Sequence, residues 1–359
     1  MNFMHANTDS PVWSRLAKDI ILEGAGVSDV TITVSLDGSS VTSFQLSPVN
    51  GRITLPFRDL LDAILPRETG VNLSTSGSVT SLQHIVTLTA SAEGQSNASL
   101  SLSCFRGGYD AGIGQAPSGH WLSWKPQETT TYPWAREFLS RIVGAGVSPG
   151  IVYAKLYYAY HATEVVQIAA SYASSSSARV FVYDVSYSLL TELGTHFSDD
   201  TLVAYDVYSS GILLHRFVMG DADRACRELI FQNSLGVPDT LFVYGDVERE
   251  TDSSITSFTQ AAVETELAND ATEKFAVKTG SLQNRRSMDH VQDFLRSCER
   301  YVLQPGDIIR KIVVESIESE MRERELSSVG FTYHLAAAFS GRYYEDTQLD
   351  DYEYDSDAE

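Results

Sequence analysis

Thr31-Ile-Thr-Val-Ser-Leu36, followed at once by Asp37-Gly38, decides how this chain is read. Apolar and polar residues alternate, which puts Ile32, Val34 and Leu36 on one side of an extended strand. An Asp-Gly pair directly after such a run is a tight hairpin turn. The pattern repeats outward. Residues 41–46 return, Asn50-Gly51 turns again and residues 52–55 resume. Pro56 then opens a short helix over 57–65, closed by Pro66. Residues 79–90 and 98–104 alternate in the same way on either side of Glu93-Gly94. Short strands with turn signals between them predict an antiparallel sandwich over residues 1–105.

Residues 106–132 carry glycines and prolines and no periodicity, so a linker or long loop is expected there. A middle β domain follows at 133–220, with a short amphipathic helix predicted at 134–143. Its strands are expected at 151–161, 164–170, 179–185, 202–208 and 212–219. The third domain, 221–342, has strands at 227–232, 240–244, 308–317 and 331–339. It also holds the best helical pattern in the chain, 287–302, where Met288, Val291, Phe294, Cys298 and Tyr301 recur at steps of three and four. Residues 343–359 contain eight acidic residues, no basic one and no apolar period, which predicts an acidic disordered tail. The fold class expected is mainly β: two or three tandem antiparallel β-sandwich-like domains with a few short helices.

The 359 residues carry a formal net charge of −21. Nucleic acid is therefore not the expected partner, because phosphate binding needs a surplus of Lys and Arg. An anionic membrane surface is disfavoured for the same reason. No apolar run is long enough to span a bilayer, so no membrane insertion is expected. The first ten residues lack a basic stretch leading into an apolar one, so no signal peptide is expected and the protein is read as made in a reducing cytoplasm. Cys104, Cys226 and Cys298 are far apart and odd in number, which suggests free thiols rather than a disulfide framework.

No catalytic signature is found. Gly112-Ile-Gly114 has Pro117 where a dinucleotide loop needs its third glycine. No nucleophile elbow or phosphate-cradling loop occurs. No two of the eight histidines stand at i, i+4. Asp221-Ala-Asp223 lacks the remaining ligands of a calcium loop. Asp199-Asp200 and Glu264/Glu266 read as solvated carboxylates. No catalytic, cofactor-binding or metal residue is assigned, and the chain is read as a non-enzyme. Tyr153, Tyr157, Tyr158 and Tyr160 are candidate interface or ligand contacts, since tyrosines on an exposed sheet face stack on sugars or anchor proteins. Tyr352 and Tyr354 are candidates in the acidic tail.

The stretch Phe231-Gln-Asn233-Ser-Leu-Gly236-Val-Pro238-Asp239-Thr240 resembles an Asn-x-x-Gly-x-x-Asp-Thr strand–loop–strand of structural proteins from phages and prophages of gut Bacteroidetes. Lys278-Thr279-Gly280 and Asp293-Phe-Leu-Arg-Ser297 are similar to their Thr-Gly and Asp-x-Leu-x-Ser blocks, with Lys278 in place of an expected Asn. Phe331-Thr-Tyr333 fits their final strand. The resemblance covers about residues 227–339. It implies a virion location in the tail, baseplate or host-contact appendage, with other virion proteins and further copies of the chain as partners. No enzymatic activity comes with it. Asn233, Gly236 and Gly280 are expected to serve turns. The alternative reading is a carbohydrate-binding or adhesin module, with a host-surface glycan as ligand.

Overall fold

The computed structural model describes residues 1–7, 11–26, 29–67, 80–108, 122–171, 174–175, 179–196, 200–221, 226–260, 263–280, 282, 284–304, 308–319 and 328–336. The chain is mainly β, in three sheet-built units.

The first unit contains β1 (Asn2–His5), β2 (Val12–Trp13), β3 (Ile20–Glu23), β4 (Val30–Leu36), β5 (Ser39–Leu46), β6 (Arg52–Leu55), α1 (Phe57–Ile64), β8 (His84–Ser91) and β9 (Ala98–Phe105). Sheet β1-β3-β6 faces sheet β2-β9-β8-β4-β5. The alternation read in the sequence is what fills the space between them. Leu22, Ile53 and Leu55 from one sheet meet Ile32, Val34 and Leu88 from the other, and Phe57 and Leu61 of α1 join the same core. Asp37 and Gly38 both take positive φ, 50° and 86°, as a two-residue hairpin turn requires.

The middle unit contains β10 (Glu128–Thr131), β11 (Phe138–Val143), β12 (Val152–Tyr158), β13 (Glu164–Ala169), β14 (Arg179–Asp184), α2 (Tyr187–Leu193), β15 (Leu202–Ser209) and β16 (Ile212–Met219). Sheet β10-β16-β15-β12-β13 packs on a three-stranded sheet whose order is β11-β14-β7, where β7 (Thr80–Ser81) comes from the chain before β8. Residues 134–143 do not form the helix that the spacing predicts. Their second half is β11, paired with β14 from Phe138↔Asp184 to Val143↔Arg179. Burial on both faces of this sheet accounts for the misreading: it removes the alternation that marks a half-exposed strand. Phe181 and Tyr183 of β14 face the middle core. Val180 and Val182 face the opposite way, into a second core shared with Trp13, Leu82 and Phe105 before it, and with Ile230, Leu235 and Val237 after it. Residues 106–132 are not only linker. Leu122 enters this shared core, and β10 pairs in parallel with β16.

The third unit is a closed six-stranded barrel, β17-β18-β19-β22-β21-β20, every pair antiparallel. Its strands are β17 (Cys226–Gln232), β18 (Pro238–Gln260), β19 (Val263–Lys278), β20 (Arg300–Gln304), β21 (Ile308–Ser319) and β22 (Val329–Leu335). Beyond Glu250↔Lys274, β18 and β19 run on as a two-stranded ribbon to Gln260↔Val263. The predicted helix 287–302 is shorter and earlier: α3 (Arg285–Arg296), capped by Asn284, whose Oδ1 accepts from Ser287 N at 2.9 Å. Its apolar face fills the barrel. Phe294 meets Phe231 edge-on at 5.3 Å and Phe331 at 5.3 Å.

Candidate anion-binding cleft

The loop that carries the Asn-x-x-Gly-x-x-Asp-Thr pattern is the place where the three units meet. Asn233 Oδ1 accepts from Val237 N at 3.2 Å, and its Nδ2 donates to Leu122 O at 2.7 Å. Gly236 takes φ +85°, and a Cβ there would stand 1.6 Å from the Arg106 carbonyl oxygen, so only glycine fits. Gly108 N donates to Ser234 O at 3.0 Å, and Trp124 Nε1 donates to Ser234 Oγ at 3.0 Å. Thr240 Oγ1 donates to Arg136 O at 2.8 Å. The later blocks clamp the same loop. Both Asp293 carboxylate oxygens accept from Ser234 N at 3.0 Å, and Ser297 Oγ donates to Gln232 O at 2.8 Å. Gly280, as expected, takes positive φ, +71°.

Asp239 of this pattern sits in a buried charge cluster under the loop. Lys125 Nζ lies 2.8 Å from Glu137 Oε2 and 3.0 Å from Asp239 Oδ1, with all three side chains almost fully enclosed. Burial alone would lower the Lys125 pKa, but Asp239 and Glu137 outweigh it and the net shift is upward. The amine is therefore held protonated and is no nucleophile. Burial drives the Glu137 pKa up, and Lys125 offsets this only in part. Burial followed by the nearby Glu137 charge pushes Glu228 well above the usual carboxylate range. His215 is lowered to about 3 by burial, and His290, also lowered by burial, sits with Nε2 2.9 Å from Thr240 O.

Above the loop, open to solvent, lies a cleft of about 550 Å³. Six arginines line it: Arg15, Arg58, Arg67 and Arg106 from the first unit, and Arg285 and Arg296 from α3. On α3 the spacing Arg285, Asp289, Gln292, Arg296 places these residues on one helical face, turned away from Met288, Val291 and Phe294. Two of the arginines are occupied. Arg67 pairs with Glu299 at 2.7 Å, and Arg106 donates to the carbonyls of Asp62 and Leu65. Glu299 is further engaged by Lys311 Nζ at 2.9 Å and Tyr301 OH at 3.0 Å, and Asp293 is taken by the loop. Arg15, Arg58, Arg285 and Arg296 are exposed and have no ion pair among the described residues. Four unpaired guanidinium groups around one cavity are suited to carboxylates or phosphates, which they bind through paired N–H donors.

The candidate tyrosines are divided among three environments. Tyr153 and Tyr157 share the outer face of the five-stranded sheet. There Tyr153 stacks on Tyr208 at 5.2 Å, and Tyr157 OH donates to Asp206 at 2.7 Å beneath Lys155 and Arg216. A register shift between Tyr157 and Tyr158 turns Tyr158 into the core, 8% exposed, with its OH on Glu164. Tyr160 is 90% exposed. Tyr352 and Tyr354 lie outside the described residues, as does most of the Asp221-Ala-Asp223 run. Among the described residues no group of His, Cys, Asp and Glu could hold a metal ion.

Sequence reading missed the cleft because its arginines are spread from position 15 to position 296, with no local pattern. The only local hint was Arg285-Arg286 at a helix start, where the helix dipole disfavours cations. No protein-family model matches the chain, and no curated protein matches it either.

Proposed function

We propose that the protein is a non-enzymatic assembly component that holds a carboxylate-rich protein segment in the arginine cleft. The resemblance of residues 227–339 supports a phage or prophage-derived particle as its setting, in the tail, baseplate or a host-contact appendage. One observation carries the reading: four exposed arginines with no ion pair among the described residues converge on one cavity in a chain of net charge −21. Clustered cations repel one another, so an acidic chain that keeps such a cluster unneutralised is poised to bind an anion. A net charge of −21 disfavours a long nucleic acid, which needs a surplus of Lys and Arg along its length, whereas a short acidic segment does not. The ribbon beyond Glu250↔Lys274 fits the same role. A lone two-stranded ribbon is marginal in water and gains stability by pairing or packing on a neighbour.

The test is titration with poly-glutamate at low and high salt, using the protein and its Arg58→Gln/Arg296→Gln variant. Salt-sensitive binding that the variant loses supports the reading. Equal binding by both proteins, or turnover in a panel of glycosides and peptides, overturns it. A second reading, glycan binding, is favoured by the tyrosine-rich outer face of β12 and β15 and by Tyr160. A glycan array showing a monosaccharide preference lost in Tyr160→Ala would favour it.

A further inference from the structure

We infer that the occupant of the arginine cleft is the chain's own acidic segment, residues 343–359, docked in cis. This rests on the cleft being a carboxylate-binding site and goes on to name what fills it. Three observations converge.

The first is charge. The segment concentrates eight carboxylates with no basic residue, and the cleft gathers six arginines against three carboxylates, of which Asp293 and Glu299 are already engaged.

The second is where the chain leaves the barrel. β22 ends at Leu335, and Ala336 N donates to Lys311 O at 2.8 Å. The Lys311 ammonium binds Glu299, which lines the cleft beside Arg67. One residue therefore separates the exit of the chain from the rim. Residues 337–342, six residues, span at most roughly 20 Å, which sets how far position 343 can lie from the end of β22.

The third is chemistry beyond charge. Tyr343, Tyr344, Tyr352 and Tyr354 punctuate the acidic run, and the cleft presents the Trp124 ring and flat guanidinium faces, on which aromatic rings stack. Occupation in cis makes the segment a competitor for any external acidic partner.

The experiment compares the full chain, a chain ending at residue 342, and that shortened chain with Arg58→Gln/Arg296→Gln. A fluorescein-labelled peptide of residues 337–359 is titrated into each and followed by polarisation, with poly-glutamate as a second probe. We expect the peptide to bind the shortened chain in a salt-sensitive manner, and at least tenfold more weakly to the arginine variant. The full chain should bind it at least tenfold more weakly as well, because its own segment is in place. All three should melt alike. Equal peptide binding by the full and shortened chains overturns the inference. Arginine-dependent binding of poly-glutamate without binding of the peptide also overturns it, but leaves the acidic-partner reading standing. Failure of both probes removes both. Self-association of the full chain, lost on shortening, would place the segment in a second copy's cleft and overturn docking in cis.

Discussion

Two charged assemblies lie back to back on the loop 233–240, and they handle charge in opposite ways. Below it, Lys125 is enclosed with Asp239 and Glu137, and each ion has its counterion within 3.0 Å. Above it, four of six arginines face solvent with no ion pair among the described residues. Buried charge survives only when paired and bonded, so the lower cluster acts as a fastener. Exposed charge costs little to leave unpaired, so the upper cluster can wait for a ligand. The contrast separates a structural use of ions from a binding use, although both rest on the same loop.

The sharpest way to break the contrast is Lys125→Met. It strands two buried carboxylates, and we expect a loss of about 3–5 kcal/mol in denaturant unfolding. Stability within error of the parent would show that the lower cluster is not a fastener. Phe294→Ala asks the same of α3, which has the barrel core on one face and the cleft on the other. A side chain with no exposure, packed on Phe231 and Phe331, should cost about 3–5 kcal/mol. Gly236→Ala drives a methyl into the Arg106 carbonyl at positive φ and should cost about 1–3 kcal/mol, read as a lowered melting temperature. On the upper side, Arg285→Gln/Arg296→Gln should change stability by less than about 0.5 kcal/mol while weakening acidic ligands. A large loss of stability would move these arginines into the structural class.

The smallest effect is one of pH. Burial raises the Asp293 carboxyl to about 6, with its bonds from Ser234 pulling the other way. Its folded pKa lies above the usual 3.8, so the folded chain holds this proton more tightly than the unfolded chain does. The penalty is absent below about pH 4 and fully present once the pH has risen through 6. An anion held beside Asp293 favours the protonated form, so binding of acidic peptide should strengthen as pH falls from 7 to 6. Asp293→Asn should flatten that dependence, and an unchanged slope would assign it to the peptide.

The sequence told most where one face of a strand met water. In 31–36 alternation is clean because β4 buries Ile32 and Val34 and leaves Thr31 and Thr33 half-exposed, and Asp37-Gly38 closes the turn as read. It told least where both faces are buried. Phe138-Leu139 and Ile142-Val143 mimic a helical period because β11 has a core on either side. The helix 287–302 was overextended because Cys298 and Tyr301 continue its period by coincidence, after Ser297 has already ended α3. Asn233, Gly236 and Gly280 were legible as turn residues, since a positive φ or an Asn side-chain bond is local chemistry. The use of Gly236 against Arg106 was not, because contacts across 130 positions leave no mark on spacing. The cleft fails to show for the same reason.

The double burial of β14 has a consequence for how the protein is made. Val180 and Val182 form one wall of the shared core, yet Ile230, Leu235 and Val237, which cover them, come about fifty residues later. On the ribosome the first sandwich can close as soon as its own strands have emerged. Trp13, Leu82, Phe105 and Leu122 can cover part of the outward side of β14 at once, but the rest stays open until the loop at 233–237 has emerged, leaving an interval in which a sticky strand awaits its cover. Pausing within that interval should promote aggregation, whereas pausing once the loop has left the ribosome should not, so synonymous codon changes on either side of that point would time the final closure.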